Sequence, residues 1–423
     1  MRYGRTGRVV EFPDDRTTVL RMRPGTPIPR PEAAIRRALV EPISSPSLAQ
    51  LARGKRDACV VISDITRPVP NRLILPPILR TLEDAGIPRG RILILVATGI
   101  HRPNLGHEIV ELVGEEIAAA YRIENHMSQE LASHRDLGRT SRGTRALIDG
   151  RYCAADLKVT TALIEPHLMA GYSGGRKAVC PGLASIETMK TMHGPDILEH
   201  PLAFCGVLDG NPFHEEALEM ARMAGVDFVL NVAMDEQRRL IGVFAGELDA
   251  AHRAGCRFVA ERCTVPVKPA EIVVTTSAGY PLDLTFYQAI KGPVGALDAV
   301  QSGGSILLLA ECAEGVGSPP FRRLVHETSN LESFVEALYD PARFVIDQWQ
   351  LEELAKVLRK ASVYCFAEGI PFEQLKELFV VPVASPEEGI ADLMEVYGPE
   401  ARILAIPEGP YLLPVAQGGE PTA

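Results

Sequence analysis

From Asp57 onward, short apolar runs rich in β-branched residues alternate with stretches of helical periodicity. That alternation predicts βαβ units and an α/β fold built on largely parallel sheets flanked by helices. Residues 58–62 read as a buried strand, 77–85 as a helix with proline near its start and Gly86 past its end, and 92–97 as the next strand. Residues 108–121 are expected as a helix, 157–164 as a strand, and 185–193 as a short helix stopped by Gly194-Pro195. Two apolar runs, 228–233 and 240–245, flank the polar stretch 234–239 and predict an antiparallel hairpin, followed by a long helix over 248–261. Two prolines within 264–270 mark a linker. The expected division is an N-terminal α/β domain over 1–265, a C-terminal α/β domain over 266–408, and a loose tail over 409–423. The second domain is expected to carry strands at 271–275, 305–310, 363–367 and 402–406, with helices at 350–361, near Gln374 and at 387–397.

Composition narrows the class. At roughly 150 residues per domain, the 423 residues make two or three domains. With 46% hydrophobic and 23% charged residues the chain is an ordinary globular protein rather than a disordered one. The 44 basic against 54 acidic residues leave a net charge of −10, and no basic run resembles a nucleic-acid footprint, so no nucleic-acid partner is expected. The longest apolar stretches fall short of the roughly 20 residues of a membrane-spanning helix. The basic N-terminus lacks a following apolar segment, so the expected location is the cytoplasm. The eight cysteines lie at least seven residues apart, which excludes a zinc knuckle or a Cys-x-x-Cys pair and suggests reduced thiols.

The polar residues that follow the strands carry the candidate chemistry, because open parallel sheets bind ligands at strand carboxyl ends. The first strand runs into Asp64, Thr66 and Arg67. Arg67 offers a planar fork for a carboxylate or phosphate, and Asp64 either braces it or the two merely pin a loop. The second strand delivers His101 and Arg102, and the third delivers His167 and then Ser173-Gly174-Gly175-Arg176-Lys177. That glycine-rich loop is neither a Walker loop nor a dinucleotide fingerprint, but its amides suit a phosphate. Lys177 is a point charge on that phosphate or, if desolvated, a nucleophile toward a carbonyl-type carbon. His193 closes a helix, where by itself it is only a dipole partner. In the second domain Tyr287, Gln288 and Lys291 share one helical turn, and Trp349, the single tryptophan, is either packing or a lid over a flat cofactor.

Taken in order, these motifs resemble the lactate racemase family, whose members carry a nickel-pincer nucleotide. The resemblance rests on Asp-x-x-Arg-Pro at 64–68, Thr-Gly-x-His-Arg-Pro at 98–103, and Glu-Pro-His through Gly-Gly-x-Lys at 165–177. It continues through His193, Gly-Tyr-Pro-Leu-Asp through Tyr-Gln-x-x-Lys at 279–291, and Trp349. It implies a nucleotide joined to Lys177 by a thioamide, with the loop residues Ser173, Gly174, Gly175 and Arg176 around it, and a nickel ligated by His193. It implies His101 and His167 as acid/base residues, Arg67 and Lys291 as holders of the substrate carboxylate or its oxygen, and Asp64, Tyr287, Gln288 and Trp349 as pocket walls. The site is expected in the interdomain cleft, and the cofactor is expected from separate assembly enzymes. The resemblance implies a 2-hydroxy acid substrate, lactate-like or malate-like, without fixing it, because other members act on other 2-hydroxy acids and sugar acids; a second carboxylate needs another cation such as Arg102 or Lys291.

The chemistry is consistent with that resemblance. The C2 hydrogen of a 2-hydroxy acid is too weakly acidic for histidine, so an electron sink is required. If one base removes the hydroxyl proton while hydride leaves, the product is a planar 2-keto acid that either face recaptures, and two bases serve the two enantiomers. The competing readings are an NAD-dependent 2-hydroxy acid dehydrogenase, disfavoured by the missing dinucleotide fingerprint, and a non-catalytic protein that binds the nickel nucleotide or a hydroxy acid.

Overall fold

Strands buried on both faces need no alternation of apolar and polar residues, and near-continuous apolar runs such as Ile92–Ala97 and Ala58–Ser63 form them here. In the computed structural model, which describes residues 1–417, they assemble into two six-stranded sheets. The first has the order Leu240–Gly246, Phe228–Met234, Leu157–Leu163, Ala58–Ser63, Ile92–Ala97, Arg122–Asn125, with only the Leu240–Gly246 edge antiparallel. The second has the order Thr17–Val19, Ile403–Ile406, Ala270–Thr276, Val300–Leu309, Ser362–Phe366, Val381–Pro382, and every pairing in it is parallel. The fold is α/β, with helices flanking both sheets. Among the described residues no helix is long and apolar enough to cross a membrane.

In the first sheet the chain lays Ala58–Ser63, Ile92–Ala97 and Arg122–Asn125 in one direction, then returns to place Leu157–Leu163 on the other side of Ala58–Ser63. The crevice at this reversal is where such sheets open for ligands. The segments after Ser63, Ala97 and Leu163 are those that carry Asp64, His101 and His167.

Several expected boundaries are corrected. The helix expected over 77–85 is Asn71–Asp84, because the apolar positions Ile74 and Leu75 already belong to its buried face; Pro76 and Pro77 lie inside it. The helix expected over 108–121 is two, His107–Val113 and Glu115–Ala120, divided at Gly114, whose φ of 86° is left-handed. The linker expected over 264–270 contains the strand Thr264–Val267, which pairs in parallel with Leu413–Ala416. The tail expected to be loose from 409 is ordered through 417: Leu412 is fully buried and Leu413 packs with Ile164, Tyr172 and Cys263. The apolar run Leu412-Leu-Pro-Val-Ala416 is the reason, since burying it outweighs the Pro/Gly character around it. Residues 418–423 of that tail lie outside the described residues. At the other end Thr17–Val19 pairs with Ile403 to Ala405, so the chain contributes an edge strand to the second sheet before it builds the first.

Candidate active site

The loops after the first sheet's strands meet the second half around a cavity of about 160 Å³. Asp64, Arg67, His101, His167, Ser173, Gly174, Lys177 and His193 line it from one side, and Tyr287, Gln288, Lys291 and Trp349 from the other. The site therefore lies in the cleft between the halves.

Two of the three histidines have protonation patterns set by their partners, in opposite senses. His101 Nδ1 lies 2.6 Å from Asp64 Oδ2, and Asp64 Oδ1 accepts a 2.7 Å bond from the Thr66 hydroxyl. Burial raises the Asp64 carboxyl, but His101, Thr66 and Arg67 outweigh it and hold it below the ordinary carboxylate value. An ionised carboxylate only accepts, so Nδ1 carries the proton and Nε2 is left as a base facing the cavity. Asp64 orients His101 in this way, and its backbone carbonyl accepts from the Arg67 amide at 3.1 Å.

His167 is arranged the other way. Its Nδ1 accepts from the amides of Met169 and Ala170 at 3.4 and 3.3 Å, so the neutral ring carries its proton at Nε2, 2.7 Å from Lys177 Nζ. The lysine must then supply a lone pair. Burial, reinforced by Arg67, Arg176 and Lys291, holds Lys177 well below the ordinary ammonium value, and burial with Lys177 and Arg67 does the same to His167. Lys177 is thus a desolvated free amine, the form a nucleophile requires.

His193 Nδ1 lies 3.1 Å from the Met189 carbonyl, which only accepts, so Nδ1 is protonated and Nε2 keeps its lone pair. Burial lowers this imidazole to about 3, keeping it neutral. A neutral ring with its far nitrogen anchored is the arrangement a metal-ligating histidine needs. Trp349 covers it, with ring centroids 4.7 Å apart, and the indole N–H donates to Tyr287 Oη at 2.9 Å.

Arg67 Nη1 stands 3.8 Å from Glu165 Oε1, and the Lys291 amine donates to Gln288 Oε1. Burial, with Arg67 adding repulsion, brings Lys291 down to about 7. Arg67 and Lys291 stand together here, and burial outweighs their pull to raise the Glu165 carboxyl above its ordinary value. Arg102 is outside the cavity, surface-exposed and held by both oxygens of Glu108 at 2.8 and 2.5 Å.

The glycine-rich loop behaves differently from expectation at Arg176. The loop residues Gly174 and Gly175, with φ of 83° and 52°, start the turn Gly175–Ala178, from which Lys177 enters the cavity while Arg176 points into the core. Arg176 is fully buried, donates to the Ala170 carbonyl at 2.6 Å and meets His252 Nε2 at 2.8 Å. It braces the loop and offers no charge to a phosphate. Ser173 is likewise occupied, its hydroxyl donating to the Leu163 carbonyl at 2.7 Å. Gly175 donates to Asn231 Oδ1 at 2.9 Å, and a Cβ there would lie 2.7 Å from the His252 ring.

Sequence reasoning missed Glu165, His252, Asn231 and Asp347. Glu165 opens the Glu-Pro-His motif that carries His167. Asp347 precedes Trp349 in a left-handed conformation, with φ of 74°, and accepts from the Ser318 hydroxyl at 2.5 Å. Burial and this carboxylate together push the Tyr287 phenol well above its ordinary value, so it stays protonated. Nothing local marks His252 or Asn231, which reach the loop from distant elements.

The family comparisons agree over nearly the whole chain. Residues 3–206 match the lactate racemase N-terminal domain and residues 265–413 the lactate racemase C-terminal domain. The lactate racemase of Thermoanaerobacterium thermosaccharolyticum is 33% identical over 412 residues, 96% of each chain. That of Lactiplantibacillus plantarum is 34% identical over 380 residues, 89% of each. The structure of the T. thermosaccharolyticum lactate racemase apoprotein superposes with a TM-score of 0.92 over 98% of both chains. A protein from Thermotoga maritima, at 17% identity and a TM-score of 0.69, shares the fold. With both domain models matched and one-third identity sustained from end to end, the chain belongs to the lactate racemase family.

Proposed function

We propose that the chain racemises lactate or a similarly short 2-hydroxy monocarboxylate, using a nickel-pincer nucleotide tethered at Lys177 and ligated by His193. The observation that carries this reading is the convergence, on one cavity, of a free amine, a neutral single-histidine ligand and two histidines of opposite tautomer. The residues present suit the cofactor: Lys177 supplies an unprotonated amine, His193 an unprotonated Nε2, and the cavity holds no further histidines, so a metal here must bring its remaining ligands with it. Among the described residues no group of three or more His, Cys, Asp or Glu is placed to hold a metal alone. When bound, the cofactor supplies a reversible hydride acceptor.

The chain's own residues do the rest. Arg67 and Lys291 hold the substrate carboxylate, which fixes C2 and presents the two enantiomers' hydroxyls on opposite sides. His101 Nε2 takes the hydroxyl proton on one side, and Asp64 stabilises the imidazolium that results. On the other side His167 performs the same exchange once tethering has removed the Lys177 amine from its Nε2. Between the two proton exchanges Arg67 and Lys291 would hold a planar 2-keto acid, without a stereocentre, so that either of its faces could be reduced. Arg102 is committed to Glu108, which leaves no spare cation for a second carboxylate and supports a lactate-like rather than a malate-like substrate. The same reading puts the protein in the cytoplasm beside the enzymes that assemble its cofactor.

The test is co-expression with those enzymes, intact-mass and nickel analysis, and a chiral assay with C2-deuterated L-lactate. Expected are an adduct absent from Lys177→Ala, bound nickel, and deuterium retained at C2 of the D product. Turnover only on adding NAD, or a mirror-image product that has lost its deuterium to solvent, overturns the reading.

A further inference from the structure

A second and larger chamber, about 590 Å³, opens between the two halves behind residues 163–166. Leu163 borders both cavities, but His101, His167, Lys177 and His193 face only the catalytic one. The second chamber has the size of a small-molecule site, and an unusual charge for a chain of net −10.

Four of its arginines have no carboxylate partner. Arg2 donates to the Glu236 backbone carbonyl at 3.2 Å, Arg238 to the Tyr280 carbonyl at 3.1 Å, and the Arg5 guanidinium stacks 3.5 Å from the Tyr280 ring. The Arg23 side chain has no partner among the described residues; only its backbone is held, by a 2.8 Å bond to the Arg262 carbonyl. Of the other lining arginines, Arg239 is neutralised by Asp235 at 2.7 Å, and Arg262 has Glu261 at 3.6 Å. The lining acids are Glu165, Asp235, Glu236 and Glu408, of which Glu165 also stands 3.8 Å from Arg67. Glu408 is buried, 3.8 Å from Arg21, with Oε2 unpartnered. Counted over the whole lining, six arginines against four carboxylates leave a local excess of two positive charges.

We propose that this chamber binds an organic phosphate, of sugar-phosphate or mononucleotide size, that bridges the two halves of the molecule. A phosphate monoester carries about two negative charges near neutrality, which equals the local excess. Guanidinium forks suit its oxygens, whereas a single-charged hydroxy acid leaves both charge and volume unfilled. Arg2 and Arg5 lie on the N-terminal arm that packs on the second sheet, while Arg238 and Arg23 belong to the first half. One ligand therefore touches both. The inference does not depend on the catalytic reading, because none of the proposed acid/base, metal or tethering residues lines this chamber.

The test is calorimetric titration and thermal shift of the full-length chain with ribose 5-phosphate, AMP and inorganic pyrophosphate at constant ionic strength. The expected result is saturable binding of ribose 5-phosphate, AMP or both, with a raised Tm. Arg23→Glu is expected to weaken it about tenfold or more, and His101→Ala in the catalytic cavity to leave it unchanged. Arg23 makes no side-chain contact, so the unliganded variant should keep the parent Tm. The proposal is overturned by no saturable organic phosphate binding up to about 10 mM, by binding of pyrophosphate alone, or by binding that survives Arg23→Glu or fails in His101→Ala.

Discussion

At the scale of single residues, the catalytic possibilities depend on which nitrogen of each histidine is free. Asp64 and the Met189 carbonyl both leave Nε2 available, on His101 and His193 respectively, while the Met169 and Ala170 amides make His167 a proton carrier at Nε2. Replacing Asp64 by asparagine removes the charge and offers an amide N–H to Nδ1, which favours the wrong tautomer. Asp64→Asn is accordingly expected to lower kcat by about 10²- to 10⁴-fold while KM changes little, as measured by chiral assay on cofactor-loaded enzyme. A variant that keeps parental kcat would show that Asp64 only supports the loop. Both residues were visible as candidates, but their contact was not. It arises because Ser63 and Ala97 are register partners, so the chain positions just beyond them emerge side by side.

At the scale of elements, the helix Gln348–Lys360 joins the site to the interface between the halves. Its first turn holds Trp349 over His193, and its next holds Glu352 and Glu353, both fully buried. Lys356 bonds Glu353 at 2.8 Å and the Leu198 carbonyl across the interface at 2.5 Å, but neither Glu352 oxygen accepts a hydrogen bond, and the Glu199 carboxyl lies against it. Burial, aided by Glu353 and Glu199 against the pull of Lys356, raises Glu352 from 4.5 to about 9. The folded state then binds a proton that the unfolded state has released, so stability falls as pH rises through that window. Glu352→Gln removes the titration. Its Tm advantage over the parent should grow between pH 5 and 9, reaching about 1 kcal/mol or more of stabilisation at the upper end; parallel Tm curves would refute a protonated Glu352. The helix itself was legible from its periodicity. The break at Gly114 was less so, since a lone glycine in a helical pattern is often tolerated, and only the φ adopted there shows that it ends one helix and starts another.

At the scale of the whole molecule, the N-terminal arm is fastened to the second half. Tyr3 stacks on Phe366 with centroids 5.7 Å apart, Gly4 donates to Asp283 Oδ2 at 2.6 Å, and Thr17–Val19 closes the edge at Ile403–Ile406. Deleting residues 1–20 bares that parallel edge and its apolar side chains, so the truncated protein is expected to melt several degrees lower and to self-associate, measured by thermal unfolding and light scattering. The strands, the α/β class and the succession of motif loops could be read from the chain alone, because apolar runs buried on both faces and the polar residues that end them are local signals. Sequence by itself also determined the family, through motifs whose order survives at one-third identity. Only the tertiary structure decided that Asp64 serves His101, that Arg176 turns away from Lys177, and that Glu165 stands beside Arg67. It likewise decided that the proline-bearing linker and the expected loose tail are two strands of one small sheet. These are pairings between positions brought together by sheet order or by the turn of a loop, and their energies exist only once the distant partner is in place.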